Sequence, residues 1–129
     1  MVKLVDNPID PAGVYNSMCS AFSGSVVFHY AVVKKQAGSG KATTCIEYSS
    51  QGDTLQELEG IAGELESRWK LEDCLLIRRT GCLNVGDIIS LVAASSPNSE
   101  DAFEACKFGI GLLKKMSTIH KTEKYSGSS

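Results

Sequence analysis

Two lysines seven residues apart, Lys114 and Lys121, bracket a segment that runs Leu113-Lys114-Lys115-Met116-Ser117-Thr118-Ile119-His120-Lys121. An ammonium group in a partly desolvated pocket stabilises phosphate, or the oxyanion that develops at an attacked carbonyl, and burial lowers a lysine pKa readily enough for it to move protons. If a helix ran on through Lys121, a spacing of seven would place both side chains on one face about two turns apart; if the chain unwinds near Ser117-Thr118, a turn must bring them together. Lysines at a helix C-terminus are also favoured by the macrodipole alone, so the pair has a capping explanation beside the chemical one.

Other polar residues invite weaker readings. Gly38-Ser39-Gly40-Lys41-Ala42-Thr43 imitates a phosphate-binding loop, but Lys35 holds the place of its first glycine, Ala42 replaces the hydroxyl that would reach magnesium, and a β-branched strand follows where a helix N-terminus should. Lys34 and Lys41 still place positive charge where an anion could meet it, against the plain alternative of a solvated basic loop. Arg79, in Arg78-Arg79-Thr80-Gly81, is either a further anion contact or a polar strand end before a turn. His29 lies inside an apolar strand with no acidic or cysteine companion at ligand spacing, the pattern of a half-buried structural histidine. The five cysteines contain no C-x-x-C pair, so neither a disulfide framework nor a zinc site is indicated, and their apolar neighbours mark them as small buried side chains. No metal and no cofactor is called for.

The elements that must position these residues follow from periodicity and punctuation. Asp10-Pro11 predicts an N-cap and a first helical residue, with Val14 and Met18 on one face. Val26 to Val33 is dense in β-branched and aromatic residues and predicts a strand; a glycine-rich loop over 34–41 leads to a second strand at Thr43 to Tyr48. From Asp53, which forms a capping-box pattern with Gln56, the residues Leu55, Leu58, Ile61, Ala62, Leu65 and Trp69 recur at helical spacing. Leu75 to Ile77 and Ile88 to Ala93 predict two more strands, with turn residues Asn84 to Asp87 before the second. Ser96-Pro97 opens a last helix whose apolar face runs through Ala102, Phe103, Cys106, Ile110, Leu113 and Met116, and 121–129 is polar enough to fray. The order helix, strand, strand, helix, strand, strand, helix fits an α+β domain, an antiparallel or mixed sheet packed against amphipathic helices, better than a doubly wound α/β sheet.

Composition sets the frame. With 129 residues the chain suits one domain, 1–129, and 43% hydrophobic with 22% charged residues is ordinary for a packed globular core. Thirteen basic and fifteen acidic residues leave a net charge of -2, so no global field favours nucleic acid or an anionic membrane, and any anion site must be local. No run approaches the roughly 20 apolar residues of a membrane span, and the first residues lack the order of a signal peptide, so the expected location is the cytoplasm.

Several stretches, taken in order, resemble the large, catalytic subunit of molybdopterin synthase, the MoaE-like family. They are Ile9-Asp10-Pro11, Gly24-Ser25-Val26-Val27-Phe28, Ile46-Glu47-Tyr48, Arg79-x-Gly81 with Val85-Gly86-Asp87-Ile88-Ile89, and Ala102-Phe103-Glu104-Ala105. Lys114 and Lys121 match that family's catalytic pair, separation included. The resemblance implies an α/β hammerhead-type fold and a homodimer within a heterotetramer, each end taking a small ubiquitin-like sulfur carrier with a C-terminal Gly-Gly. The implied reaction is sulfur transfer from the carrier's thiocarboxylate to cyclic pyranopterin monophosphate, giving the dithiolene of molybdopterin in molybdenum cofactor biosynthesis. Asn98 and Ser99 occupy the places of a family His-Arg pair, which makes them substrate-binding candidates that hydrogen-bond without charge; Val33 falls near the place of a family arginine, with Lys34 beside it, and the chain stops at Ser129 without the family's longer basic tail. A guanidinium reads phosphate through a fork that lysine does not copy. These departures keep open a second reading, a dimeric interaction module with the same fold and no catalytic duty.

Overall fold

The computed structural model describes residues 1–18, 24–34 and 43–125. Among the described residues ten elements follow one another: β1 (Val2–Val5), α1 (Pro11–Met18), β2 (Ser25–Val32), β3 (Thr43–Ser50), α2 (Thr54–Arg68), β4 (Asp73–Arg79), β5 (Gly81–Asn84), β6 (Ile88–Ser96), α3 (Ser99–Lys114) and β7 (Ile119–Tyr125). They build two sheets. A four-stranded mixed sheet has the order β1-β4-β6-β2, with β1 parallel to β4 and the other pairs antiparallel; a three-stranded antiparallel sheet has the order β5-β3-β7. This is the expected α+β class.

The apolar runs of β4 and β6 are continuous because both faces of the four-stranded sheet are covered. Cys74, Leu76 and Val92 face α2 and α3, where they meet Leu58, Leu65, Cys106 and Leu113; Leu75, Ile77, Leu91 and Ala93 face α1, where they meet Val14 and Met18. A third cluster, Val33, Ile46, Tyr48 and Leu83, joins the smaller sheet to the end of β2. Asp53 caps α2 as its spacing predicts, its carboxylate accepting from Gln56 N–H at 3.0 Å. Gly109 lets α3 lie close to the sheet, since a Cβ there would stand 3.1 Å from both Leu65 Cδ1 and Val92 Cγ1. No described helix is long and apolar enough to cross a membrane.

The structure corrects the sequence reading in five places. The last helix is capped by Asn98, not Ser96, because the Asn98 side chain accepts from Glu100 N–H at 2.9 Å. Phe103 is 63% exposed, while Ala102, Ala105 and Cys106 turn the packed face away from it. Three short or polar strands, β1, β5 and β7, were not anticipated: each lacks a long apolar run and is held by pairing with a stronger neighbour. Residues 121–125 accordingly belong to a strand and not to a frayed tail, while 126–129 lie outside the described residues. Finally, Cys45 and Cys82 form a disulfide. The β3–β5 register sets Glu47 opposite Cys82 and Cys45 opposite Asn84, so the two cysteines are diagonal neighbours with Cα atoms 6.0 Å apart, within bridging reach. Cys74 and Cys106 are the buried, inert thiols expected, burial pushing each pKa up to about 11. Cys19 lies outside the described residues.

Candidate anion site between the two sheets

Lys114 is the last residue of α3, and the helix does not continue to Lys121. The chain turns at Ser117-Thr118 and re-enters as β7, so the two lysines stand on different kinds of element. What holds the turn is Glu57 on α2. Its Oε2 accepts from Ser117 N–H at 2.8 Å and Ser117 Oγ at 3.2 Å; its Oε1 accepts from Thr118 N–H at 3.1 Å and Thr118 Oγ1 at 2.6 Å. Gln51 N–H adds a bond to Thr118 O at 2.8 Å from the end of β3. Burial alone would raise the Glu57 pKa, but the four hydrogen bonds prevail and hold the carboxyl below its usual value.

Beyond the turn, the β3–β7 register puts Lys121 directly opposite Tyr48. Residues opposite one another in a ladder share a face. Lys121 therefore lies on the side of the small sheet that carries Tyr48, Ile46 and Ile119, which is the side packed toward β2, β4 and β6. Between these layers is a cavity of about 590 Å³, a size common for small-molecule sites, and both Lys114 and Lys121 line it. Lys34 lines it too, from the end of β2, and like the other two lysines it is exposed.

Deeper in the same cavity is Arg78, only 7% exposed. Its guanidinium carbon sits 4.6 Å from the centre of the Tyr48 ring. Burial lowers the Arg78 pKa and the Tyr48 phenol partly offsets that; a guanidinium nonetheless stays charged at neutral pH. Burial likewise raises the Tyr48 pKa, so the phenol keeps its proton. His29 lines the cavity from β2, its pKa lowered first by burial and then by the charge on Lys114, which leaves it a neutral imidazole at pH 7. No aspartate or glutamate occurs among the described lining residues, although Glu123 is near enough to act on Tyr48. Among the described residues, four cations and no carboxylate line this space, which makes it a site for an anion.

The remaining candidates among the described residues are not brought into this space. Arg79, one residue along β4, points to the other side and meets Asp87 with Nη1 3.5 Å from Oδ2. Asn98 and Ser99 stand at the opposite end of α3, about 24 Å along the helix axis from Lys114 at 1.5 Å per residue. Lys41 lies outside the described residues. Conversely, sequence reasoning passed over Arg78, Tyr48 and Glu57 and read His29 as a half-buried structural residue. The available signal for Arg78 was parity: it shares a strand face with Cys74 and Leu76, but in a strand buried on both faces parity does not say which side holds the cavity.

Comparison with known proteins agrees with this architecture. The family model described as MoaE protein matches residues 4–116. A Drosophila erecta protein named molybdopterin synthase catalytic subunit is 30% identical over 128 residues, covering 98% of this chain; the chain spans 35% of that relative's length. A Bacillus subtilis protein of the same name is 25% identical over 122 residues, covering 94% of this chain and 77% of its own. The crystal structure of molybdopterin synthase from Staphylococcus aureus superposes with a TM-score of 0.89 at 26% identity, covering 97% of this chain and 91% of that one.

Proposed function

The chain belongs to the MoaE family, and from that premise we propose that it is the catalytic subunit of a molybdopterin synthase, a sulfurtransferase that converts cyclic pyranopterin monophosphate to molybdopterin. The sulfur donor in this reading is the thiocarboxylate at the C-terminal Gly-Gly of a small ubiquitin-like carrier. The observation that carries it is that Lys114 and Lys121, arriving from a helix end and a strand, line one cavity with no carboxylate among its described lining residues.

That placement suits the chemistry. The substrate phosphate, the thiocarboxylate and any oxyanion formed at the attacked acyl carbon are all negative, and ammonium groups at the mouth of a partly apolar cavity stabilise each of them. Either lysine can also exchange a proton with the leaving or attacking group. Lys34 supplies further positive charge at the rim. Asn98 and Ser99 reach such a cavity only if a second copy presents them, which is the arrangement a homodimer within a heterotetramer would allow; a cytoplasmic location accompanies this reading. In the test, purified chain, thiocarboxylated carrier and cyclic pyranopterin monophosphate yield the dithiolene, and Lys121→Ala abolishes the yield while the protein remains folded. Undiminished turnover by that variant removes the assignment.

One observation favours the second reading, a non-catalytic dimeric module: the Asn98 side chain is already committed to capping α3. Capture of a small protein ending in Gly-Gly supports the enzyme, whereas dithiolene-free wild-type reactions with that carrier bound support the module.

A further inference from the structure

Arg78 is the deepest cation in the cavity and the one whose presence local structure explains least. Buried charges are ordinarily paired with an opposite charge, because desolvation penalises them heavily. Its neighbour Arg79 obeys this rule through Asp87. Around Arg78 no carboxylate stands among the described residues that line the cavity; its side chain is hydrogen-bonded to the neutral Tyr48, and its Nε–H has no hydrogen-bond partner. Its recorded company is neutral, namely the Tyr48 ring beneath the guanidinium and Ser90 beside it across the β4–β6 ladder. Ser90 is itself 5% exposed and lines the cavity.

We propose that Arg78 is a substrate-binding residue whose guanidinium holds the phosphate group of the substrate at the floor of this cavity. The inference rests on the proposed function and deepens it by placing one end of the substrate. Depth orders the site: Arg78 is buried, whereas Lys34, Lys114 and Lys121 are exposed at the rim. A phosphate bound to the guanidinium fork leaves the uncharged part of the substrate directed outward, toward the two lysines where sulfur arrives. A guanidinium suits the inner position because it is weakly hydrated and reads two phosphate oxygens at once, while the Tyr48 face restricts its tilt. The Tyr48 side chain orients the guanidinium and takes one hydrogen bond from it, but it is neutral and leaves Nε–H unpartnered; a phosphate supplies the opposite charge and a further acceptor.

Two measurements decide the matter. In the wild-type chain, the Arg78 Nε–H signal is followed by NMR during titration with inorganic phosphate, using Arg78→Lys to assign it; a saturable shift is expected, and an unmoved signal overturns the proposal whatever the enzyme does. In the complete reaction with thiocarboxylated carrier, Arg78→Met raises KM for cyclic pyranopterin monophosphate roughly 10- to 100-fold, the range for losing a charge-assisted contact, with kcat within about threefold of wild type. Arg78→Lys, which keeps the charge and serves if the Met variant fails to fold, falls between them. A changed melting temperature with unchanged KM in a folded variant reduces Arg78 to a packing residue and overturns the proposal. Failure of the wild-type chain to make dithiolene defeats the sulfurtransferase reading instead, and the phosphate titration still decides whether the anion site exists.

Discussion

Replacing Glu57 by glutamine should loosen the turn that sets Lys121 against Lys114. Each carboxylate oxygen serves one residue of the turn, Oε2 taking both donors of Ser117 and Oε1 both donors of Thr118. Glutamine keeps the shape but turns one of those oxygens into an NH₂ group. A hydroxyl facing it can rotate and accept; a backbone N–H cannot, so at least one charge-assisted bond is lost and the rest weaken. Such bonds contribute about 1.5–3 kcal/mol when shielded, and part of this cluster is exposed, so about 2 kcal/mol is expected in total. For a chain of this size that is a fall of roughly 6–10 °C in Tm. The pH dependence supplies a control with a definite sign. The folded-state pKa of Glu57 lies below its ordinary 4.5, so its contribution is fully present above pH 4.5 and is lost as pH falls through the folded value. Thermal unfolding of wild type and Glu57→Gln across pH 3 to 8 should therefore show a gap that closes in acid. A Tm within about 1 °C of wild type at pH 7, or a gap of constant size down to pH 3, would refute the clamp. In the synthase assay the same variant should lose kcat, because displacement of a catalytic group by about 1 Å can cost up to about 100-fold.

Three further outcomes follow from the packing. Since His29 has a folded pKa below the ordinary 6.5, the unfolded chain binds the extra proton first and stability should fall as pH drops below 6.5; His29→Gln should flatten that slope in urea titrations between pH 7 and 5. Cys82→Ser opens the link across a sequence separation of 37, for which chain entropy allows a loss of up to about 4 kcal/mol, read as a lower denaturation midpoint that reductant does not lower further. Gly109→Ala gains about 1 kcal/mol of helix propensity but crowds fully buried Leu65 and Val92, for which overpacking costs about 1–3 kcal/mol, so a net loss near 1 kcal/mol should appear in the urea midpoint.

The strongest elements were legible because their signals are local. Asp53 with Gln56 announced the start of α2, and the apolar runs of β4 and β6 announced central strands. What stayed hidden depends on partners distant in the chain. Val2–Val5 is a strand because β4 lies beside it, and Cys45 meets Cys82 because the β3–β5 register allows it. Phe103 misled for a related reason: at its end of α3 the helix packs through small residues, Ala102, Ala105 and Cys106, and the bulky Phe103 beside them stands on the exposed face.

The lysine spacing shows how two residues can reach one cavity by a physical route other than the one their separation suggests. A separation of seven satisfies a continuous helix, but here it is divided between a helix end, a clamped turn and the third residue of a strand. Each part is rigid in its own way. One residue added between Thr118 and Lys121 would carry Lys121 to the opposite face of the small sheet, since strand side chains alternate, and remove it from the cavity shared with Tyr48. One residue added before Thr118 would break the match between Glu57 and the consecutive donors of Ser117 and Thr118. The spacing is thus constrained twice, by strand parity on one side and by a bidentate carboxylate on the other, and neither constraint involves helical periodicity.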